Sequence, residues 1–119
     1  MKLKEKMKEA NINTIINQFI KSLNAFDVEA TLTLFADNAV IDDVSVGEKF
    51  KNTTGVRDYL EKFFVNYKTM TKLASVEAIN DLNANAQVDF TGDFGHETGS
   101  LNFTLNTGGL ITAIGADLD

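Results

Sequence analysis

The hydrophobic pattern of this chain changes its period once, near residue 70, and this change restricts the fold more than any other feature. Before it, apolar residues recur at the three- and four-residue spacing of amphipathic helices. After it, apolar and polar residues alternate, as in strands with one buried face. The order predicts an α+β fold, with three N-terminal helices packed on one face of a mostly antiparallel sheet.

Helical spacing occurs in three segments of the first half. The first segment carries an apolar stripe over residues 12–26. Asp27 follows the stripe and is the predicted N-cap of a short second helix, because its carboxylate can accept from the free amides of a new first turn. This second helix includes Phe35 and stops before Asn38. The third helix opens at Thr54-Gly55.

Strands are predicted on both sides of the third helix. The β-branched residues of segment 39–46 predict one strand between the second and third helices, and a loop follows at 47–49. The second half predicts further strands linked by hairpin turns, at 70–79, 87–94, 101–106 and 110–118. Residues 95–99 have the sequence Gly-His-Glu-Thr-Gly and form the predicted turn between the middle pair.

The composition narrows the chemistry open to this chain. Its 119 residues suit a single domain, residues 1–119. Without cysteine the chain has no disulfide framework, no thiolate ligand and no cysteine nucleophile. The single histidine leaves a histidine-based zinc centre short of ligands, so we expect no metal site and no cofactor. A net charge of −6 disfavours contact with phosphate backbones, so we expect no nucleic-acid partner.

The first ten residues are basic, since four lysines outweigh two glutamates. No apolar stretch of a targeting peptide follows them, so this segment is predicted to be the solvated start of a helix. No run of apolar residues is long enough to span a membrane. The sequence therefore predicts a cytoplasmic protein without a membrane partner.

Several short motifs resemble one known superfamily. The segment 34–43, Leu-Phe-Ala-Asp-Asn-Ala-Val-Ile-Asp-Asp, together with 19–23 and 27–30, resembles the opening of the nuclear transport factor 2-like superfamily. That group includes ketosteroid isomerases and SnoaL-like polyketide cyclases. The segment 54–59 resembles its G-x-x-x-I helix start, and 109–111 resembles its G-x-I entry to the last strand. The resemblance covers nearly the whole chain.

The resemblance implies a cystatin-like cone. In such a fold a long helix and two shorter ones are wrapped by a curved sheet, and a pocket opens at the wide end. Members are commonly homodimers through the sheet, so a homodimer of that kind is expected for this chain.

The resemblance also implies a position for one carboxylate. Asp43 matches the general base of the ketosteroid isomerases, and its neighbour Asp42 then faces outward, because adjacent strand residues face opposite sides. A carboxylate in an apolar cavity is desolvated and can act as a proton acceptor between carbon atoms. In the alternative interpretation Asp43 only ends the strand and is hydrogen-bonded to nearby backbone. Both interpretations are open at this point.

The donors that such an isomerase needs are missing from the matching positions. Phe19 stands where the family has a tyrosine on the first helix, Leu101 where it has a protonated aspartic acid, and Phe63 where it has a supporting tyrosine. If the match at Leu101 is off by one residue, Asn102 is a neutral donor. Losing one oxyanion donor typically lowers the rate by about 10²–10³. Isomerisation of the ketosteroid kind is therefore not expected.

The remaining residues predict a mostly apolar pocket beside Asp43. Its predicted lining is Phe19, Leu23, Tyr59, Phe63, Val88, Phe90, Leu101 and Phe103. Such a pocket is typical of a site for a small molecule. The same phenylalanines can instead fill the cone as ordinary core, where each contributes roughly 1.5–3 kcal/mol of burial.

Three functions follow from these alternatives. In the first, the protein binds a small apolar or aromatic molecule in the cone pocket. In the second, it is a SnoaL-like cyclase or isomerase-type enzyme that uses Asp43 as acid or base. In the third, it is a structural or interaction module with a filled core. Whether the chain is an enzyme is left open by its sequence.

Overall fold

The computed structural model describes the backbone of residues 2–119 and the side chains of residues 12–119. The predicted solvation of the lysines in the first ten residues lies outside these described side chains. The elements in chain order are α1 (Lys2–Asn24), α2 (Val28–Leu32), β1 (Phe35–Asp43), β2 (Glu48–Lys51), α3 (Asn52–Leu60), a π-helical turn (Glu61–Val65), β3 (Met70–Asn80), β4 (Asn83–Gly92), β5 (Gly95–Leu105) and β6 (Ile111–Leu118).

The strands form a six-stranded sheet in the order β2-β1-β6-β5-β4-β3. All neighbouring strands pair antiparallel except β1 and β6, which are parallel. The helices pack on the inner face of this sheet, where alternate strand residues are buried with the apolar stripe of α1. The α+β class and the mostly antiparallel sheet are therefore confirmed. The prediction of three N-terminal helices is inexact, because β1 and β2 precede α3.

The N-terminus of α2 is built as its sequence predicts. The side chain of Asp27 accepts a hydrogen bond from the backbone N–H of Ala30 at 3.0 Å, which satisfies one free amide of the first turn. The helix is shorter than predicted and ends at Leu32. Phe35 has helical spacing but begins β1 instead, because it pairs with Ile111 of the last strand. A contact with a residue so distant in the chain leaves no trace in local spacing.

Two segments predicted as loops belong mostly to strands, although Gly47 lies in the turn before β2. Residues 48–51 form the short edge strand β2, whose mostly exposed polar side chains show no clear alternation. Residues 95–99 open β5, and the turn before it is the pair Asp93-Phe94, since Gly92 pairs directly with Gly95. Gly95 adopts a φ of +108°, a conformation that suits glycine at this turn. The polar residues after it look like a turn because this end of the hairpin extends past the core.

Candidate functional site

A cavity of about 250 Å³ lies at one end of the sheet, where β1 and β6 end and β5 begins. Its walls are mainly aromatic, and the rings that line it are Tyr59, Phe63, Phe64, Tyr67, Phe90 and Phe94. Tyr67 and Phe94 are each 42% exposed, and their rings contact each other edge to face with centroids 6.2 Å apart. These two rings therefore stand at the mouth of the cavity.

The π-helical turn after α3 supplies much of the aromatic wall. The N–H of Asn66 donates to the carbonyl of Glu61, and the N–H of Thr69 donates to the carbonyl of Phe64, each at 2.9 Å. These five-residue bonds widen the helix, so that the consecutive residues Phe63 and Phe64 both line the cavity. π-Turns of this kind occur frequently at functional sites.

Asp43 contributes a buried carboxylate to the cavity, with an exposed fraction of 6%. Its Oδ2 accepts a hydrogen bond from the Tyr59 hydroxyl at 2.6 Å. Its Oδ1 accepts from the backbone N–H of Ser45 at 3.0 Å and from the Ser45 hydroxyl at 2.5 Å. Asp43 is thus both the last residue of β1, hydrogen-bonded to the next turn, and part of the cavity wall. Within residues 12–119 it forms no ion pair.

Tyr59 is held in its protonated form by this arrangement. Burial raises the pKa of the phenol above its ordinary value, and the hydrogen bond to Asp43 and the negative charge of Asp43 raise it further. The phenolic hydrogen is directed at Asp43 and satisfies the carboxylate. It is therefore already used within the protein and does not point to a ligand as a free oxyanion donor.

The cavity brings together five of the residues that the sequence predicts for the site, namely Asp43, Tyr59, Phe63, Phe90 and Leu101. The other four lie outside its wall, in the apolar core, and they are Phe19, Leu23, Val88 and Phe103, with exposed fractions of 3% or less. The ring of Phe19 contacts the ring of Phe103 edge to face at 5.4 Å and that of Phe35 at 5.9 Å. These rings fill the fold farther along the sheet, away from the cavity.

Sequence reasoning missed several residues of the wall. Those with side-chain chemistry of interest are Ser45, Phe64, Tyr67, Thr69, Phe94 and Glu97. In the sequence, Phe64 and Tyr67 continue the helical spacing of the apolar residues at 56, 59, 60 and 63, and this spacing could have identified them. Glu97 was hidden by the wrong turn, because the correct hairpin register places it opposite Phe90 and on the same face as Leu101.

The positions that the family resemblance matches to oxyanion donors carry apolar side chains. Phe19 is in the core, and Phe63 and Leu101 line the cavity without a polar atom to offer. Asn102 does not replace them, because it is exposed on the outer face of the sheet. Its Oδ1 accepts there from the side chain of Asn85 at 2.6 Å.

The described part of the chain offers neither a metal-binding cluster nor a membrane-spanning helix. It holds no group of three or more His, Cys, Asp or Glu side chains placed to bind a metal ion. Among the same residues, no helix is both long enough and apolar enough to cross a bilayer.

The sequence matches no protein-family model and no curated protein. Solved structures do match. A Mycobacterium tuberculosis protein in complex with estradiol-17beta-hemisuccinate is 17% identical, with a TM-score of 0.78 over 89% of this chain and 92% of that one. The epoxide hydrolase/cyclase-like enzyme SalBIII, of pyran ring formation in the polyether salinomycin, is 17% identical, with a TM-score of 0.80 over 97% and 92% of the two chains.

A third match is a protein of unknown function with a cystatin-like fold from Methylobium petroleophilum. It is 15% identical, with a TM-score of 0.80 over 92% of this chain and 76% of that one. At such identities the likeness shows the shared fold.

We predict that Tyr59→Phe lowers the free energy of unfolding at neutral pH by about 1–3 kcal/mol, because Oδ2 of buried Asp43 loses its donor. The substitution also changes how the free energy of unfolding depends on pH in the alkaline range. The folded pKa of Tyr59 lies above the unfolded value of about 10, so its stabilisation is complete below about pH 10 and is lost as the pH rises further. Tyr59→Phe has no phenol to ionise at this position, so its stability does not fall in this way at alkaline pH.

Urea unfolding between neutral and alkaline pH measures both effects. Tyr67→Phe is the matched control, since it removes the exposed tyrosine at the cavity mouth and keeps Tyr59. Equal alkaline slopes for Tyr59→Phe and the unmodified protein would contradict the assignment.

Proposed function

Because the chain has the cystatin-like fold of the nuclear transport factor 2-like superfamily, we propose that residues 1–119 form one domain that binds a small apolar or aromatic molecule in the cavity beside Asp43. The observation that carries this proposal is the aromatic cavity itself, which has the partly exposed rings of Tyr67 and Phe94 at its mouth and, among the described side chains, one buried carboxylate. Ligand sites are typically concave and mostly apolar, with few polar anchors.

The size and walls of the cavity support a small ligand. Its volume of about 250 Å³ is slightly below the roughly 300–1,000 Å³ typical of ligand pockets. Aromatic walls favour a planar ligand, because stacked and edge-to-face rings gain energy beyond their buried area. The estradiol-17beta-hemisuccinate in the structurally similar Mycobacterium tuberculosis protein supports the use of this fold for molecules with an apolar ring system.

Binding is favoured over catalysis by the hydrogen bonds of the site. The proton of Tyr59 is directed at Asp43, and the other positions for oxyanion donors carry Phe19, Phe63 and Leu101. A carbonyl substrate beside Asp43 would therefore find a proton acceptor, but Tyr59 and these three positions offer no free donor to stabilise the negative charge on its oxygen.

We predict that small aromatic compounds raise the melting temperature of the protein. A ligand at about 100 times its Kd adds roughly 2.7 kcal/mol of stability. Val46→Trp should remove this rise in melting temperature. Val46 lies in an exposed turn and lines the cavity, so an indole ring at this position obstructs the ligand. Thermal unfolding with a panel of small aromatics is the measurement.

Val44→Trp is the control for that experiment, since Val44 is in the same turn, is 63% exposed and does not line the cavity. Equal shifts for the two tryptophan variants would contradict the assignment of the site. Absence of a shift with every compound would contradict binding and favour an interaction module with a closed core.

The second candidate function is a SnoaL-like enzyme in which Asp43 moves a proton on a lipophilic ketone or a polyketide-like substrate. Two observations favour it, namely the burial of Asp43 in the cavity wall and the similarity to SalBIII, which is an enzyme. Three donors occupy the carboxylate, which has about four lone-pair sites, so one remains for a proton of the substrate.

We predict that, if turnover of such a substrate is found, Asp43→Asn lowers kcat by about 10²–10⁴, the usual contribution of a positioned acid or base. Asp42→Asn is the matched control, because it removes the same charge from the adjacent residue, which does not line the cavity. Retained turnover in a folded Asp43→Asn protein would rule out the role of Asp43.

We also propose that the protein is a homodimer through the outer face of its sheet. The centre of this face is uncharged, and its residues are Asn83, Asn85, Gln87, Ser100, Asn102, Thr104, Ala113 and Gly115. Charged residues such as Asp89 and Asp117 lie nearer its margin. Depletion of charge at the centre is the compositional signal of protein interfaces, and two copies of one face can pair about a two-fold axis.

We predict that Asn102→Arg converts the dimer into a monomer, because two arginines would meet near the two-fold axis without a partner. Sedimentation analysis gives the mass in solution. Asn66→Arg is the control, since Asn66 is exposed beyond the π-helical turn and away from this face. A monomeric unmodified protein, or a dimeric Asn102→Arg variant, would contradict the proposal.

A further inference from the structure

The ionisable side chains that line the cavity are acidic or phenolic. Asp43 is buried in its wall, and Glu97 is exposed toward its mouth, on the same face of β5 as Leu101. Asp117 also belongs to the wall, but its neighbours Ala116 and Leu118 face inward, so strand alternation directs the Asp117 carboxylate to the other face. Within the described side chains, no lysine, arginine or histidine lines the cavity.

Asp43 is a buried carboxylate whose hydrogen-bond donors are neutral. The three donors are the backbone N–H of Ser45, its hydroxyl and the hydroxyl of Tyr59. They satisfy part of the carboxylate but bring no positive charge. A buried charge normally has both hydrogen bonds and an opposite charge, and the described part of the chain supplies only the first of these.

The aromatic walls complement this charge. The faces of tyrosine and phenylalanine rings carry partial negative charge and attract cations within about 6 Å of the ring centroid. The protein already uses one of them in this way, because Nζ of Lys62, which does not line the cavity, lies 5.3 Å from the centroid of Phe63. Aromatic faces around a carboxylate are the chemistry that recognises an organic ammonium ion.

We propose that the ligand of this cavity is a small aromatic or apolar amine with one positive charge, whose ammonium group pairs with Asp43 while Glu97 attracts it at the mouth. This inference rests on the proposed binding function and specifies its ligand class. A neutral ligand leaves Asp43 without a counter-charge. An anionic ligand is repelled by both carboxylates.

The test compares three probes that share a ring system and differ in charge, namely naphthylmethylamine, naphthylmethanol and naphthoate. Their Kd values are measured by calorimetry at neutral pH with the full chain. We expect the amine to bind at least about tenfold more tightly than the alcohol, since charge-assisted hydrogen bonds are about twice as strong as neutral ones. Naphthoate should bind more weakly than the alcohol.

Substitutions test which carboxylate causes the preference for the amine over the alcohol. Asp43→Asn should remove most of the advantage of the amine over the alcohol. Glu97→Gln should reduce it by a few-fold at about 0.05 M salt and have little effect at about 0.5 M, where exposed charges are screened. Glu77→Gln is the matched control, because Glu77 is exposed on β3, does not line the cavity and should leave the ratio unchanged.

The outcomes separate this inference from the binding function. If the alcohol binds as tightly as the amine, the charge preference is wrong while the cavity still binds aromatic molecules. If the amine keeps its full advantage in a folded Asp43→Asn protein, the pairing with Asp43 is wrong. If none of the three probes binds, both the ligand class and the proposed binding function fail.

Discussion

The parallel pairing of β1 with β6 is the constraint on which the rest of this structure depends. It joins the first and last strands of the chain, and without it the sheet would separate into the pair β2-β1 and the meander β6-β5-β4-β3. The pairing begins where the N–H of Ile111 donates to the carbonyl of Leu34 at 2.8 Å. It ends where the N–H of Val44 donates to the carbonyl of Ala116 at 2.9 Å. Asp43 is thereby held opposite Ala116, at the edge of the cavity.

The sheet also separates the aromatic residues into two groups, one that packs in the core and one that lines the cavity. Phe19 of α1 contacts Phe35 and Phe103 of the inner face edge to face, and these rings fill the core. Beyond them, the π-helical turn and the β4–β5 hairpin hold further rings around open space. Whether a phenylalanine packs or lines a wall thus depends on its distance along the sheet. Filled core and open cavity, which were alternatives for the sequence, occur together in one molecule.

Local chemistry explains which elements could be predicted. Three features depend only on residues that are close together in the sequence, and their patterns are therefore visible there. They are the stripe of α1, the N-cap at Asp27 and the alternation in β4 and β5. Phe35, Glu48 and Glu97 were misassigned because their states depend on pairing. Each lies in a strand whose partner is distant in the chain or whose side chains are too polar to alternate clearly.

The same distinction applies to the site. From the sequence, the resemblance implied a buried position for Asp43 and apolar residues where an isomerase needs donors. The chain's composition excluded cysteine chemistry outright. Only the tertiary structure brings the hydroxyl of Tyr59 into a hydrogen bond with Asp43, which is sixteen residues earlier in the sequence. It also brings Glu97 into the cavity wall through the hairpin register, and it leaves the aromatic end of the fold open. The physical reason is that periodicity and capping are properties of neighbouring residues, whereas a cavity and its charge balance are set by segments that meet only when the sheet has formed.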